Sequence, residues 1–550
     1  MTGLSALVVR ASLWAPRRRW QHIERLTMDP ARAQRDVLRA ILQANQESRF
    51  GVEHGFDRIA DPSALQGQVP VQSYETLRPY IDEQRRQGTP ALTSEAPQFY
   101  AQTSGTTGQP KYIPITRSML AMQRDEQRLF SYLQFRACPE AFAGKALGIM
   151  GAAVEGRLDT GHAVGSVSGH LYESLPAVVR SRFVVPPEVL AIDDYERKYL
   201  VILRLALAEP NVTYMGSPNP TTFLRLLEVL EAWREPLLEA LRGGTMNGLG
   251  DLDPSIARAL SGRLRADPGR ARALGRERRL TFASVWPQLR LVTTWTGGSC
   301  GVALAAVRDT LPPGTKVMEL GYQSSECRGT IALTPETPEG LPPFHHHYFE
   351  FVEAGSWDRG TPDFVGLADL EQGQRYYVLF TTIAGLYRYF INDLIEVCGF
   401  LNRTPLLRFV QKGKGVTSLT GEKLYEAQTI QAVTEVCSRH RLAPRFFVLV
   451  ADEQTSSYTL FVEAPDRRSA DGEEVGAAID RRLGELNIEY AAKRGSGRLG
   501  ALSVSWLRPG TSESYMAASI RAGQREIQFK PPVLQYRKDL AVGLEEHVDR

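Results

Sequence analysis

Residues 289–320 read LRLVTTWTGGSCGVALAAVRDTLPPGTKVMEL. The apolar run at 289–295 predicts a buried strand, the glycine pair at 297–298 ends it, and a helical stretch follows up to residue 311. A second apolar run at 315–320 predicts another strand. A strand, a helix and a strand in this order are typical of a parallel sheet covered by helices.

The same alternation extends over residues 140–400. We expect further strands at 146–150 and 212–215, and further helices at 194–207 and 221–233. This pattern predicts the α/β class, with a large layered domain built on a largely parallel sheet.

Two helices are expected before this region. Apolar residues recur at helical spacing through 20–48, and Thr116 and Ser118 can cap a second helix at 118–136. The first twenty residues place their arginines after an apolar stretch, which is the reverse of a secretory signal. We expect an amphipathic N-terminal helix that packs on the domain, and an organellar transit peptide stays open as an alternative.

The tail of the chain has a different rhythm. A helix at 422–440, strands at 445–450 and 458–463, a long helix at 473–494 and a strand at 502–507 predict a small α+β domain with an antiparallel sheet.

We therefore expect two domains, residues 1–405 and residues 406–550. Gly413 and Gly415 lie close to this boundary and could form a hinge between the domains.

The composition of the 550 residues restricts the class of protein. Hydrophobic residues make up 43% and charged residues 23%, as in ordinary soluble globular domains, and the net charge is +3. This balance requires neither nucleic acid nor a membrane surface as a partner, and no apolar run reaches the length of a membrane span. The oligomeric state cannot be inferred from the sequence.

Five cysteines are scattered without a metal-binding or disulfide pattern: Cys138, Cys300, Cys327, Cys398 and Cys437. We expect buried apolar thiols, and therefore a reducing compartment such as the cytoplasm.

The stretch Thr103-Ser-Gly-Thr-Thr-Gly-Gln-Pro-Lys111 is the strongest local signal for chemistry. Its glycines allow backbone amides to converge on phosphate oxygens, while its hydroxyl groups add donors and Lys111 adds a positive charge. The segment lacks the Gly-Lys-Ser/Thr ending of a Walker A loop. We predict a phosphate-binding loop of another kind.

This loop resembles the phosphate loop of the adenylate-forming superfamily, which includes acyl-CoA ligases and luciferases. Further motifs resemble one branch, the Gretchen Hagen acyl acid–amido synthetases, and we expect a member of bacterial type. They are Val69-Pro-Val-Gln-Ser-Tyr-Glu75, Gly321-Tyr-Gln-Ser-Ser-Glu326, Gly385-Leu-Tyr-Arg-Tyr389 with Asp393, Phe409 to Glu426, and Gln528-Phe-Lys-Pro-Pro532. Their order covers nearly the whole chain.

The resemblance implies an adenylate-forming architecture with ATP and Mg²⁺ at the site. It assigns phosphate contacts to Ser104, Gly105, Thr106, Thr107, Gly108 and Lys111. It assigns adenine, ribose and other nucleotide contacts to Gly298, Tyr322, Ser325, Asp393 and Lys412, the Mg²⁺ ligand to Glu326, and an acyl-phosphate contact to Lys530.

Two positions depart from the family pattern. Asn392 stands where glycine is usual, although asparagine tolerates the left-handed backbone better than most residues. Lys412 stands where arginine is common, and it keeps the charge without the planar fork.

Three consecutive histidines, His345 to His347, are the remaining conspicuous cluster. On a strand they would point to alternating faces, so we do not expect them to bind zinc together. We expect a strand near the active site, with one or two of the histidines lining a pocket.

The implied function is ATP-dependent activation of a carboxylic acid as an acyl-adenylate, followed by transfer of the acyl group to an amine such as an amino acid. Two alternatives stay open at this point. The acceptor could be coenzyme A, as in the wider superfamily, or the protein could bind nucleotide without turnover.

Overall fold

The computed structural model describes residues 14–103, 111–192, 194–297, 300–358, 361–413, 415–417, 419, 422, 424–452, 454–464, 471–495, 499–521, 530–540 and 543–549. The strands in these residues form a parallel sheet, a large antiparallel sheet and three smaller sheets. The α/β prediction is confirmed.

The parallel sheet has four strands, in the spatial order Lys145–Gly148, Val212–Gly216, Leu291–Thr294 and Lys316–Glu319. The last two strands come from the stretch quoted first, with the helix Cys300–Arg308 between them. Their side chains are almost entirely buried because helices cover the sheet.

The large antiparallel sheet has seven strands, in the order Phe364–Gly366, Tyr348–Glu353, Arg375–Thr381, Tyr389–Leu401, Thr404–Lys412, Gly340–Leu341 and Ile331–Ala332. Its longest pair is the hairpin of Tyr389–Leu401 with Thr404–Lys412, in which Asp393 pairs with Lys412. This sheet and the N-terminal helices share one hydrophobic core.

Two further sheets lie in the first and last thirds of the chain. One has the order Lys111–Thr116, Pro97–Thr103, Ala163–Gly165 and Gly156–Arg157, and the other has the order Ser503–Trp506, Ser457–Glu463, Phe446–Asp452 and Leu534–Tyr536. A small ladder joins Val416–Thr417 to Leu424–Tyr425.

Helices of eight or more residues are Trp14–Leu26, Pro30–Asn45, Tyr74–Gln87, Arg117–Ala137, Tyr195–Leu207, Thr221–Ala232, Arg234–Gly243, Pro268–Gly275, Cys300–Arg308, Glu426–Arg439, Gly472–Leu486, Ile488–Gly495 and Thr511–Arg521. Shorter helices are Arg49–Glu53, Pro62–Gln68, Val167–Glu173, Ala177–Arg180, Pro187–Leu190, Pro254–Leu260, Phe282–Val285 and Ala354–Asp358. Among the described residues, none of the helices is both long and apolar enough to cross a bilayer.

Three predictions from the sequence were wrong in detail. The helix expected at 20–48 is two helices, because Asp29 caps a new helix that begins with Pro30. The helix expected at 473–494 is interrupted at Asn487, whose backbone is extended. The tail sheet is mixed, because the strands Ser503–Trp506 and Leu534–Tyr536 each run parallel to their neighbour.

The helix Arg117–Ala137 is the longest helix among the described residues, and one of its faces is buried. The Thr116 hydroxyl accepts a hydrogen bond from the Met119 amide at 3.2 Å, so the predicted cap is confirmed. The buried face of this helix carries polar as well as apolar side chains, and Gln123 and Glu126 are among them.

The cysteines are free thiols in the described part of the chain. Cys138, Cys300, Cys327 and Cys437 are buried as expected, and Cys398 is half-buried.

Candidate functional site

A cavity of about 1700 Å³ lies between the parallel sheet, the seven-stranded sheet and the tail of the chain. Of the residues predicted from the sequence, Lys111, Tyr322, Ser325, Glu326, Asp393 and Lys530 line it. Residues separated by more than 400 positions in sequence therefore face one space.

Some predicted residues cannot be placed. Ser104, Gly105, Thr106, Thr107, Gly108 and Gly298 lie outside the described residues, as does the side chain of Lys412. The backbone of Lys412 pairs with Asp393 in the hairpin, so the position of residue 412 is beside the cavity.

Tyr322 and Asp393 form the best-defined contact in the cavity. The Tyr322 hydroxyl donates a hydrogen bond to Asp393 Oδ2 at 2.6 Å, and the Asp393 side chain is buried. The Tyr322 ring stacks on Phe409 with a centroid distance of 5.4 Å. Burial and the neighbouring Asp393 carboxylate raise the pKa of Tyr322 well above its usual value. The phenol therefore stays a donor and orients the carboxylate.

The turn that holds Tyr322 requires two glycines. Gly321 has a φ of +99°, and a Cβ there would lie 2.3 Å from the Thr330 carbonyl oxygen. A Cβ on Gly329 would lie 2.1 Å from the Tyr322 ring. Glu326 follows on the same turn, where the Ser324 hydroxyl accepts from its amide at 3.3 Å. The turn thus presents a phenol and a carboxylate to the cavity.

Asn392 has a φ of +61°, the left-handed conformation that was anticipated where the family has glycine. Its carbonyl oxygen accepts a hydrogen bond from the Gly413 amide at 2.8 Å. A Cβ on Gly413 would lie 2.2 Å from the Asn392 side chain, so Gly413 leaves room for that side chain. The turn before Asp393 is preserved despite the substitution.

Two lysines reach the cavity from different parts of the chain. Lys111 begins the strand Lys111–Thr116, and its Nζ lies 5.6 Å from the centre of the Tyr74 ring. Lys530 Nζ lies 4.6 Å from the Trp295 ring and 5.1 Å from the Phe409 ring. Aromatic faces attract such cations and hold them in place.

Acidic groups near Lys530 have perturbed pKa values. Burial raises the pKa of Glu426 to about 7, although the positive charge of Lys530 opposes that rise. Burial also raises the pKa of Glu319, against hydrogen bonds from Thr296 and from the Gly321 amide. Lys530 therefore lies close to carboxyl groups as well as aromatic rings.

The motifs at residues 69–75 and 385–389 are joined in the structure. Arg388 Nη1 donates to the Val69 carbonyl at 2.8 Å, and the Gln72 amide donates to the Arg388 carbonyl at 3.0 Å. The Tyr74 hydroxyl then accepts from the Tyr112 amide at 2.7 Å, next to Lys111. These two motifs position one another and the strand that carries Lys111.

Arg388 itself is structural. Its Nε donates to both carboxylate oxygens of Glu350 at 3.1 and 3.0 Å, and both side chains are buried. The Arg388 side chain lies in the core of the seven-stranded sheet and does not line the cavity.

The histidine prediction was wrong in its local structure. Residues 345–347 lie in a turn, and the strand begins at Tyr348. His346 Nδ1 lies 3.0 Å from Glu126 Oε1, and His347 Nε2 lies 3.4 Å from the same oxygen. The histidines do not line the cavity themselves; the Glu126 side chain that they contact does.

The helix Arg117–Ala137 and the turn that carries the histidines bring three potential metal ligands together. One ligand atom each from Asp125, His345 and His346 lie within 4.8 Å of one another. The Arg19 guanidinium already occupies this group, at 2.8 Å from Asp125 Oδ2 and 3.2 Å from His346 Nε2. An arginine in that position supplies the positive charge of the cluster.

The polar wall formed by the helix Arg117–Ala137 was missed by the sequence reasoning. Gln123, Glu126, Gln127, Ser131 and Gln134 all line the cavity from this helix. The available signal was the presence of polar residues at helical spacing on the face that also carries Leu129 and Phe130.

Comparison with known proteins agrees with this architecture. Residues 19–315 match the model of the GH3 family N-terminal domain, residues 341–412 that of the GH3 family central domain, and residues 427–539 that of the GH3 family C-terminal domain. The chain belongs to the GH3 family. The resemblance found in the sequence motifs is confirmed.

Relatives in this family match almost end to end. A probable indole-3-acetic acid-amido synthetase, GH3.4 of Oryza sativa subsp. japonica, is 29% identical over 94% of this chain and 88% of its own length. Jasmonoyl–L-amino acid synthetase JAR6 of Nicotiana attenuata is 25% identical over 93% of this chain and 92% of its own.

The solved structure of the acyl acid amido synthetase AtGH3.15 in complex with 2,4-DB is 23% identical. It superimposes with a TM-score of 0.86 and covers 96% of both chains. The fold is therefore shared over 96% of the chain.

Proposed function

We propose that this GH3 protein is an acyl acid–amido synthetase, which activates a carboxylic acid with ATP and transfers the acyl group to the nitrogen of an amino acid. The observation that carries the proposal is the convergence of the Tyr322–Asp393 pair, Glu326, Lys111 and Lys530 on one cavity. The names of the relatives support the acid and amine classes, and they differ in the acid.

The cavity offers a suitable place for the nucleotide. Asp393 presents a buried carboxylate, which can accept hydrogen bonds from ribose hydroxyls. The ring of Tyr322 offers an aromatic surface for adenine, and Ser325 lies beside it on the same turn. We propose that Gly298 and Lys412 complete these contacts.

The phosphates require positive charge and backbone donors. We propose that Ser104, Gly105, Thr106, Thr107 and Gly108 supply donors and that Lys111 supplies charge. Lys530 is the second cation at the cavity, and we propose that it contacts the acyl phosphate as negative charge develops there.

Glu326 provides the ligand chemistry that Mg²⁺ prefers. Its carboxylate is nearly buried and lines the cavity, and hard cations bind such oxygens. Bound there, Mg²⁺ would neutralise phosphate charge.

The reaction then follows in two steps. A carboxylate oxygen of the acid attacks the α-phosphorus of ATP, and the bond to pyrophosphate breaks. The amine nitrogen next attacks the acyl carbon, the bond to AMP breaks, and the nitrogen loses a proton to form the amide. The protein accelerates both steps by holding the reactants together and by placing cations near the phosphates.

We also propose that the chain divides into two functional parts. The sequence pattern predicts a division between residues 405 and 406. The strand Thr404–Lys412 continues the seven-stranded sheet across that point. We therefore propose that the division follows this strand, near Gly413 and Gly415. The first part would bind ATP and the acid, and the second would move between the two steps. A cytoplasmic location is proposed from the free cysteines.

The proposed function is tested by exchange of radiolabelled pyrophosphate into ATP, with Mg²⁺ and a panel of aromatic, indolic and fatty acids. We expect exchange that depends on one class of acid. Lys111→Ala should abolish most of it, whereas Lys316→Ala, at an exposed lysine outside the cavity, should not. Nucleotide binding without any exchange would refute the proposal and favour a binder without turnover.

The acceptor is tested after the acid is known. Amino acids and coenzyme A are supplied separately, and amide and thioester products are separated by mass. Amide formation is expected. Thioester formation with coenzyme A, without amide, would move the protein to the acyl-CoA ligase class.

A further inference from the structure

Two buried hydrogen-bond acceptors lie on one face of the helix Arg117–Ala137. Among the described residues, Gln123 Oε1 and Glu126 Oε2 are buried atoms that receive no hydrogen bond. Gln123 is 7% exposed and Glu126 is 1% exposed, and both line the cavity. Residues three apart on a helix lie on the same face, so these acceptors are neighbours.

The Glu126 carboxylate is held in its ionised form from behind. Burial by itself would raise the pKa of Glu126, but the neighbouring His346 and His347 lower it well below its usual range. Both histidines approach Oε1, at 3.0 and 3.4 Å. Oε2 is left as a charged acceptor, and buried acceptors in folded proteins normally have a partner.

The charge of Glu126 is already balanced by the groups around it. His346 contacts it directly, and Arg19 contacts His346 at 3.2 Å. Arg328 is buried nearby, but its Nε bonds the Thr330 carbonyl at 3.2 Å and its Nη2 bonds the Leu320 carbonyl at 3.0 Å. Glu126 therefore lacks a hydrogen-bond donor more than it lacks a positive charge, and a neutral N–H or O–H group would satisfy it.

We propose that the carboxylic acid used by this protein carries an N–H or O–H donor on the part remote from its carboxyl group, and that this donor bonds Glu126 and Gln123. This inference rests on the proposed function. The acid would carry a hydroxyl or N–H group, and Glu126 would select acids that have one. A purely hydrocarbon acid would bury both acceptors without partners.

The acid suits this wall better than the amine does. Gln123 and Glu126 are almost completely buried at the inner side of the cavity, whereas Lys530 at the tail side is exposed. The acid binds before the adenylate forms, and the amine arrives afterwards. Because the amine must enter past the bound adenylate, it cannot reach the inner wall.

The test measures pyrophosphate exchange without any amine, so that it reports on the acid alone. Acids are compared in matched pairs: 4-hydroxyphenylacetate with phenylacetate, 6-hydroxyhexanoate with hexanoate, and indole-3-acetate with its N-methyl derivative. In the pair that fits the cavity, we expect kcat/KM for the donor-bearing acid to exceed that of its partner by roughly tenfold or more.

Two variants assign this preference to Glu126. Glu126→Gln keeps the size and removes the charge, and it should reduce the preference; Glu126→Leu should favour the acid without a donor. Arg128→Leu is the control, since Arg128 lies on the same helix but is exposed and does not line the cavity. Melting curves and ATP binding check that each variant is folded.

The outcomes separate this inference from the proposed function. Exchange with both members of every pair at equal kcat/KM would overturn the inference and leave the function intact. An unchanged preference in folded Glu126→Gln and Glu126→Leu would also overturn it. A complete absence of exchange with every acid would refute the proposed function on which the inference rests.

Discussion

The buried ion pair between Arg388 and Glu350 makes a strong prediction about stability. Arg388→Met removes a guanidinium that bonds both oxygens of Glu350, and the pair is 3% and 1% exposed. Glu350 keeps one hydrogen bond, from Gln66 Nε2 at 3.1 Å. Because an uncompensated buried charge remains, we expect a loss of about 3–5 kcal/mol in the free energy of unfolding.

The loss should depend on pH. Burial raises the pKa of Glu350, and Arg388 opposes that rise, so the substitution raises the pKa further. An acid whose pKa is higher in the folded state loses stability as the pH rises through the range between its unfolded and folded pKa values. The deficit of Arg388→Met should therefore be smallest at acid pH and grow as the pH rises.

Urea unfolding followed by tryptophan fluorescence measures this effect. Arg375→Met is the matched control: it breaks an ion pair with Glu396 in the same sheet at 3.2 Å, but Arg375 is 54% exposed. We expect that control to cost less than about 1 kcal/mol. Arg388→Met with Glu350→Leu should recover most of the loss. Equal costs for Arg388→Met and Arg375→Met, at every pH, would refute the reasoning.

Three further predictions concern the cavity and the contact of the tail with the rest of the chain. Lys530→Ala should lower the exchange rate by roughly 10²–10³-fold. Lys538→Ala, which removes a similar cation from the Tyr536 ring outside the cavity, should not lower it. Equal losses in the two variants would contradict the proposed contact of Lys530 with the acyl phosphate. Tyr322→Phe removes the 2.6 Å hydrogen bond to the buried aspartate and should raise the KM for ATP about tenfold. An unchanged KM would contradict the role of the Tyr322 hydroxyl in orienting that carboxylate. Burial and the Glu513 carboxyl raise the pKa of Glu228 from about 4.5 to about 8, so thermal stability should fall as the pH rises through that range. Glu228→Gln should flatten that part of the melting profile, and a profile that keeps its slope would show that another group titrates.

Much of the architecture could be predicted from the sequence because it depends on local rules. Apolar runs of strand length gave the parallel strands Leu291–Thr294 and Lys316–Glu319, and Thr116 marked the start of the helix Arg117–Ala137. The ordered motifs predicted the family, which the comparisons confirm over most of the chain. They also pointed to Tyr322 and Asp393, which prove to be hydrogen-bonded across 71 positions.

Interruptions within helices and the pairing of strands were harder to predict from the sequence. Helical periodicity continues across Asp29 and Asn487, although a cap and an extended residue interrupt the helices there. The outer strands of the tail sheet are parallel to their neighbours because the chain crosses over before it returns, and no pattern within a strand records that path.

The sequence by itself determined the layered α/β fold and the family, and it predicted a set of residues for nucleotide binding, because each depends on short ordered patterns. Only the tertiary structure decided that Glu126 meets His346 across 220 positions and that Arg388 is paired with Glu350 in the core. Burial and the partner of a charge depend on side chains brought together by folding. A glutamate on a helix and a histidine in a distant turn come into contact only when the chain folds, so the sequence around one does not predict the other.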